Sequence, residues 1–429
     1  MTHHAEIAIV GAGAAGLFAS IWAGRALAQR SQSGVLVTDG ATKVGAKILV
    51  AGGGRCNVTH HAVDESAYAG SSRNAIRNVL RRFDVPRTIE FFRSCGVELK
   101  KEETGKLFPV SDDGQTVLDA LLGAARASDV RIVHPWRVAS VERTDRGFAL
   151  HRECAANTSA AERVFAKRII LATGGRSLPK TGSDGVGFEI ARSLGHSITA
   201  RVFPALVPLT IPKDHWLTSL SGVTLAATLE LRGHSGKRLV SFTNSTLFTH
   251  FGLSGPGVLD MSRYYTDAKL NAPPGQSPVL VLNWLPGATL ESLDAELAAA
   301  GRSRAGTVAR LLEGRLAERI VHAICAHAGV SPGASMSELA KEKRRLLATA
   351  LTELPLPITG DRGYLFAEAT AGGVPLAELK LDTMESRVCP GLFVCGELCD
   401  VDGRVGGFNF QWAWASGFAA GKGAATTTA

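Results

Sequence analysis

At 429 residues, with 45% hydrophobic and 20% charged residues and a formal net charge of +8, the chain has the make-up of a globular enzyme of two or three domains. That excludes a disordered, collagenous or fibrous protein. No run of about 18 apolar residues occurs, so neither a membrane span nor a membrane partner is expected. A strand pattern at residues 6–10 leaves no room for a signal peptide, which makes the cytoplasm the expected location.

The opening reads strand, helix, strand over residues 6–10, 14–30 and 34–40, one βαβ unit. Gly11, Gly13 and Gly16 form a GxGxxG between the first strand and the helix, with Ala14 and Ala15 starting the helix. The first glycine makes the tight turn, the second lets backbone approach a pyrophosphate, and the third lets helix and strand pack closely. Asp39 ends the second strand, where its carboxylate can take ribose hydroxyls. Such a unit suits NAD or FAD.

A glycine-rich segment, residues 45–57, follows. Three consecutive glycines, the last Gly54, can press backbone against a flat ring, with Arg55, Cys56 and Asn57 presented at its edge. Lys47 and Arg55 are expected at phosphate or flavin oxygens. Cys56 is a candidate proton donor beside the ring, or else a small buried thiol. From Arg73 to Lys106 the chain is helical and rich in base (Arg73, Arg77, Arg81, Arg82, Arg87, Arg93, Lys100, Lys101, Lys106), diluted by four glutamates. This is either a solvated helix face or a surface for a polyanion.

Residues 106–127 read as a loop and then a helix. Strands are expected around 131–141, with Val138 among the cofactor contacts, and at 148–153. The run LATGG, residues 171–175, then brings Thr173 and Gly174 to a strand end, as where flavoprotein chains pass near the cofactor. GSDGVG, residues 182–187, follows no strand and opens a helix at 188–194, so no second dinucleotide unit is present. NADH or NADPH would have to visit the flavin transiently as electron donor.

Composition shifts after residue 195: strands at 206–212, 223–233 and 237–250, helices over 290–353, then strands at 364–370 and 391–397 and a last helix at 410–424. In the run GLFVCGELCDVDG, Gly396, Glu397 and Asp400 end a strand in the manner that holds ribityl and phosphate. This distant C-terminal segment favours FAD over NAD. Gly406 and Gly407 then open the last helix, whose amides suit the pyrimidine edge of the flavin ring, with Asn409, Phe410 and Gln411 as ring-edge contacts and Trp412 and Trp414 as core. The seven cysteines (Cys56, Cys95, Cys154, Cys325, Cys389, Cys395, Cys399) are odd in number and scattered, which speaks for reduced thiols and no metal site.

The motifs GAGAAGL, GAKILVAGGGRCNVTH, KLFPVSD, LATGGRSLPKTGSDGVG, LFTHFGLSGP, TAGGV with TMES, and CGELCDVDGRVGGFNFQWAWASG together resemble the BaiN-like (aminoacetone-oxidase-like) flavoproteins over nearly the whole chain. The match is loose at 213–237, and Cys395 and Cys399 depart from the pattern. The resemblance implies an α/β fold: a split Rossmann-type FAD domain (1–195 and 366–429), interrupted by a β-rich insert (196–288 and 354–365) and a helical subdomain (289–353). It also implies an FAD-dependent oxidoreductase and includes members resembling ribosomal-RNA dihydrouridine synthases. One expectation is therefore uridine reduction in ribosomal RNA or its precursor, with Cys56 or His250 of THFGLSGP as the acid. The others are a small-molecule amine or aminoketone oxidase, an enoyl-type reductase, and a non-catalytic FAD protein.

Overall fold

The computed structural model describes residues 2–153, 162–303 and 306–427; Cys154 lies outside them. The chain forms two compact units, Met1–Pro204 with Ala367–Ala429, and Ala205–Phe366.

The first unit is built on five parallel strands: β1 (Thr2–Val10), β2 (Val35–Thr38), β3 (Val130–Val133), β4 (Arg163–Leu171) and β5 (Leu392–Val394), in the order β5-β4-β1-β2-β3. β2 is buried at all four positions, as is β1 from Ile7 to Val10. Continuous apolar runs of this kind, rather than alternating ones, mark strands covered on both faces. Covering them are α1 (Ala14–Ala28), α2 (Gly114–Ala127) and α3 (Phe408–Thr426). Strand order reverses between β1 and β4, whose C-terminal ends meet at Val10 and Leu171. In open α/β sheets the crevice at such a point is where ligands bind.

α1 and α3 are apolar almost all round, the mark of a buried helix. Their contact is made by small residues. A Cβ on Gly417 would stand 2.8 Å from the Ala15 carbonyl oxygen, and one on Gly421 would stand 2.2 Å from that of Ala19. Both pairs advance four residues in the same direction, so the helices run parallel. Phe18, Phe83, Phe91, Phe92 and Trp414 close the flank, with Phe18 and Phe91 edge-on at 4.7 Å.

Two expected elements differ. KLFP, expected in a loop, is the strand Lys106–Pro109, held between Thr59–His60 and Leu99–Lys101. Its extended form rests on pairing with these two short neighbours rather than on its own four residues. Of the expected strand at 364–370 only its end is extended, as Ala369–Ala371. A turn closed by the Phe366 N–H on the Gly363 carbonyl, 3.1 Å, occupies the rest.

The second unit is a seven-stranded antiparallel sheet, with Thr224–Arg232 and Arg238–Thr249 as its long central hairpin. Helices Leu290–Arg302, Glu318–Ala328 and Lys341–Thr352 share one core with it: Leu229, Phe248 and Leu282 from strands meet Leu297, Ile324 and Leu351 from helices. Among the described residues no helix is long and apolar enough to cross a membrane.

Since backbone cannot yield as a side chain can, Gly421→Val should cost about 3 kcal/mol of unfolding free energy. Gly123→Ala, inside α2 with open space around its Cβ, should instead gain up to about 1 kcal/mol. Denaturant unfolding of both variants checks the pair; equal midpoints would contradict the packing.

Candidate functional site

The switch point is closed by backbone. Gly11, at φ +105°, turns the chain so tightly that a Cβ there would lie 2.4 Å from the Ala172 carbonyl oxygen. Gly16 packs against the same turn, 1.9 Å from the Gly11 oxygen to its own missing Cβ. Gly13 differs: it caps α1 without a side-chain hydrogen bond, and a Cβ on it would meet nothing within 4 Å. The amides of the first α1 turn, Ala14 and Ala15 among them, therefore open onto a gap that a side chain would fill. Asp39 orders this turn, one carboxylate oxygen accepting from Ala12 N–H at 2.6 Å and the other from Ala41 N–H at 2.8 Å. Its remaining lone pairs can still accept from further donors. The Trp136 N–H donates to the Asp39 carbonyl at 2.6 Å, which brings the segment leading to Val138 alongside. Thr173 and Gly174 follow β4, Thr173 tucked against Gly187.

The C-terminal segment reaches the same turn. Gly396, at φ +71°, lies against the first turn of α1, where its Cβ would be 2.7 Å from that of Ala15. Beside it, Glu397 accepts from Lys47 Nζ (2.8 Å), Ser177 Oγ (2.7 Å) and Thr370 N–H (2.9 Å). Burial pushes this carboxyl up, but the Lys47 charge and the hydrogen bonds outweigh it and hold the group below the ordinary 4.5. Lys47, expected at phosphate or flavin oxygens, thus joins residue 397 and also donates to Ser177 at 2.8 Å. Ser177 and Thr370 were not among the expected site residues, although each lies in a motif of the resemblance. Asp400 sits nearby, accepting from Ser71 Oγ at 3.2 Å.

Gly406 and Gly407, at φ +130° and +92°, lead into α3, whose N-terminus has no side-chain cap. A Cβ on Gly407 would strike the Thr59 backbone at 2.5 Å. The side chains of Asn409 and Gln411, expected at the ring edge, are engaged within the protein. Asn409 exchanges two hydrogen bonds with the Gly403 backbone, and buried Gln411 is shared by Thr59, Thr88 and Phe83. Phe410 stacks on Trp414 at 5.6 Å, and Trp412 and Trp414 donate to the Gly396 and Val58 carbonyls.

In the glycine-rich loop, Gly52, Gly53 and Gly54 all have left-handed φ, which fixes glycine there. Arg55 points to acids rather than to a cradle: it pairs with Glu102 at 2.7 Å and lies 4.0 Å over Phe108. Cys56 is fully buried, and burial pushes its thiol up to about 12. A thiol so sealed cannot reach a substrate. Asn57 next to it carries a buried side-chain oxygen with no partner. His250 belongs to the second unit, where it is exposed and edge-on to Phe251 at 5.1 Å.

The gap at Gly13, two parallel uncapped helix N-termini and the orphaned Asn57 oxygen fit a dinucleotide with a second polar end, as FAD is. The HI0933-like protein Rossmann domain family matches residues 5–423. The chain belongs to this family. The HI0933-like chain is 34% identical over 415 residues to a ribosomal RNA dihydrouridine synthase of Escherichia coli, covering 96% of each. It is 33% identical over 425 residues to a 3-dehydro-bile acid delta(4,6)-reductase of Clostridium scindens, covering 98% of this chain and 99% of that one. A single-residue variant of E. coli quinol fumarate reductase FrdA shares its fold, with TM-score 0.53 at 15% identity over 99% of this chain and 70% of that one. This HI0933-like protein is an FAD-dependent oxidoreductase.

Gly13→Val should leave the apoprotein's unfolding midpoint unchanged and abolish FAD retention, whereas Gly16→Ala should lower the midpoint; flavin absorbance and thermal unfolding separate the two. Folded-state Glu397 lies below its unfolded value, so its contribution holds above about pH 4.5 and is lost as pH falls through the folded value. Lys47→Met removes the charge opposing burial and leaves only the Ser177 and Thr370 hydrogen bonds against it, so the folded-state carboxyl should rise. Its deficit should be about 2 kcal/mol at pH 7.5 and shrink toward pH 4; a deficit independent of pH would refute the pairing.

Proposed function

We propose that this HI0933-like flavoprotein reduces uridine to dihydrouridine in ribosomal RNA. The observation that carries the reading is a cationic surface on the unit that holds the FAD cradle. Arg73, Arg81 and Arg82 are exposed and form no salt bridge among the described residues, although Arg81 stands close enough to Glu65 to help lower its carboxyl, while Arg77, Arg93 and Lys100 pair with Glu65, Glu90 and Asp112. The first three lie on or beside the helix Arg73–Leu80, which packs on α3. Phosphate contacts of this kind anchor RNA and make affinity fall with salt. Two relatives named as ribosomal RNA dihydrouridine synthases, the E. coli protein and one of Haemophilus influenzae at 32% identity, support the same reading.

FAD, when bound, supplies the hydride chemistry. The chain must bind the RNA, position a flipped-out base, exclude water and deliver a proton. Cys56 is sealed from that task. His250, exposed on the second unit, is our proton donor, carrying the proton at a ring nitrogen. NADH or NADPH serves as reductant by visiting transiently. The bile-acid relative favours a second reading, reduction of a carbon–carbon double bond conjugated to a ketone in a small apolar substrate. Both readings are the same chemistry, since the uracil double bond is also conjugated to a carbonyl.

Mass spectrometry of ribosomal RNA incubated with the FAD-loaded protein and NADPH should show a uridine gaining two hydrogens. No gain, with turnover of a conjugated steroid ketone instead, would favour the second reading. Replacing Arg73, Arg81 and Arg82 together by glutamine should lower the slope of log affinity against log salt by about 2. An unchanged slope would remove this surface from the account.

A further inference from the structure

A second surface suits RNA in another way. In the second unit, residues 358–366 run along the strand Leu209–Thr210, fixed by Thr359 N–H to the Thr210 carbonyl (2.9 Å) and Arg362 N–H to the Pro208 carbonyl (3.1 Å). The turn holds the Arg362 guanidinium 4.4 Å from the Phe251 ring centre and 3.5 Å from that of Phe366. Phe366 is 45% exposed and is the one exposed aromatic side chain among the described residues; Leu365 beside it is 57% exposed. Arg362 has no acidic partner among the described residues.

These features add nothing to the core. An exposed phenyl ring leaves apolar surface in water, and a guanidinium without a carboxylate lacks the usual satisfaction of its donors. A guanidinium held over aromatic rings by its carbon still has N–H donors to offer an anion. An aromatic face next to cationic donors matches two parts of one unpaired nucleotide. The base would stack on the free face of Phe366 and its phosphate would take the Arg362 donors. A duplex hides its base faces and offers nothing to Phe366.

We propose that Arg362 and Phe366, backed by Phe251, form a stacking platform for an unpaired nucleotide of the RNA. The proposal rests on the reading that the substrate is RNA.

The test uses full-length, FAD-loaded protein and a fluorescently labelled single-stranded RNA of mixed sequence, with a blunt duplex of the same sequence for comparison. Phe366→Ala should weaken single-strand binding about ten-fold and leave duplex binding unchanged. Phe366→Trp should restore it. Arg362→Gln should lower the salt slope for the single strand by about 0.7, and Arg362→Lys should keep the slope but bind more weakly. Unchanged flavin content shows that each variant is folded. Parental binding by Phe366→Ala and Arg362→Gln, with the parent still binding RNA steeply in salt, would overturn the platform and leave the RNA reading standing. A parent that binds neither RNA would overturn both. Loss of self-association rather than of RNA affinity in Phe366→Ala would assign the patch to a second copy and also overturn the platform.

Discussion

With Gly417 and Gly421 facing Ala15 and Ala19, α1 and α3 lie parallel at backbone contact, and their N-termini open toward the same end of the sheet. Each terminus carries unsatisfied amides and the positive end of a helix dipole. Neither is capped by a side chain, because both caps are glycine. The register sets the two open ends about 12 Å apart along the shared helix direction, at 1.5 Å per residue, so each can serve a different negative group. The pyrophosphate suits the end at Gly13, and the oxygen that gains charge on flavin reduction suits the end at Gly407. Any side chain at 417 or 421 would push the helices apart and separate the two ends.

The same convergence appears in side chains. Residues 47, 177, 370 and 397, distant in sequence, meet in one hydrogen-bonded group around the Glu397 carboxylate. Lys47 enters from the glycine-rich loop, Ser177 from the segment after β4, and Glu397 from the segment after β5. The three pieces of chain that border the switch point are thus stitched by an ion pair that is mostly buried. Such a pair is costly to break from one side, which gives the cradle a defined shape before any cofactor arrives.

The cofactor cradle was legible because its physics is local. Gly11 and Gly16 each have a steric reason to be glycine, Gly13 has only open space beside it, and a strand before and a helix after them show in the hydrophobic pattern. What escaped was where polar side chains point. Asn409 looked like a ring contact and turned back onto Gly403, and Arg55 turned toward Glu102; nothing in the spacing reveals an acid 47 residues away. Ser177 and Thr370 were invisible for the same reason, since their role exists only once Glu397 is beside them. KLFP failed as a loop because its strand character comes from two short neighbours and not from its own four residues.

A crystal structure of the protein with FAD bound tests the central claim most directly. The account predicts pyrophosphate density within hydrogen-bonding distance of the Ala14 and Ala15 amides, and the flavin ring at the Gly407 end of α3 in the same molecule. Pyrophosphate density elsewhere, or a protein that takes up no FAD at all, would contradict it.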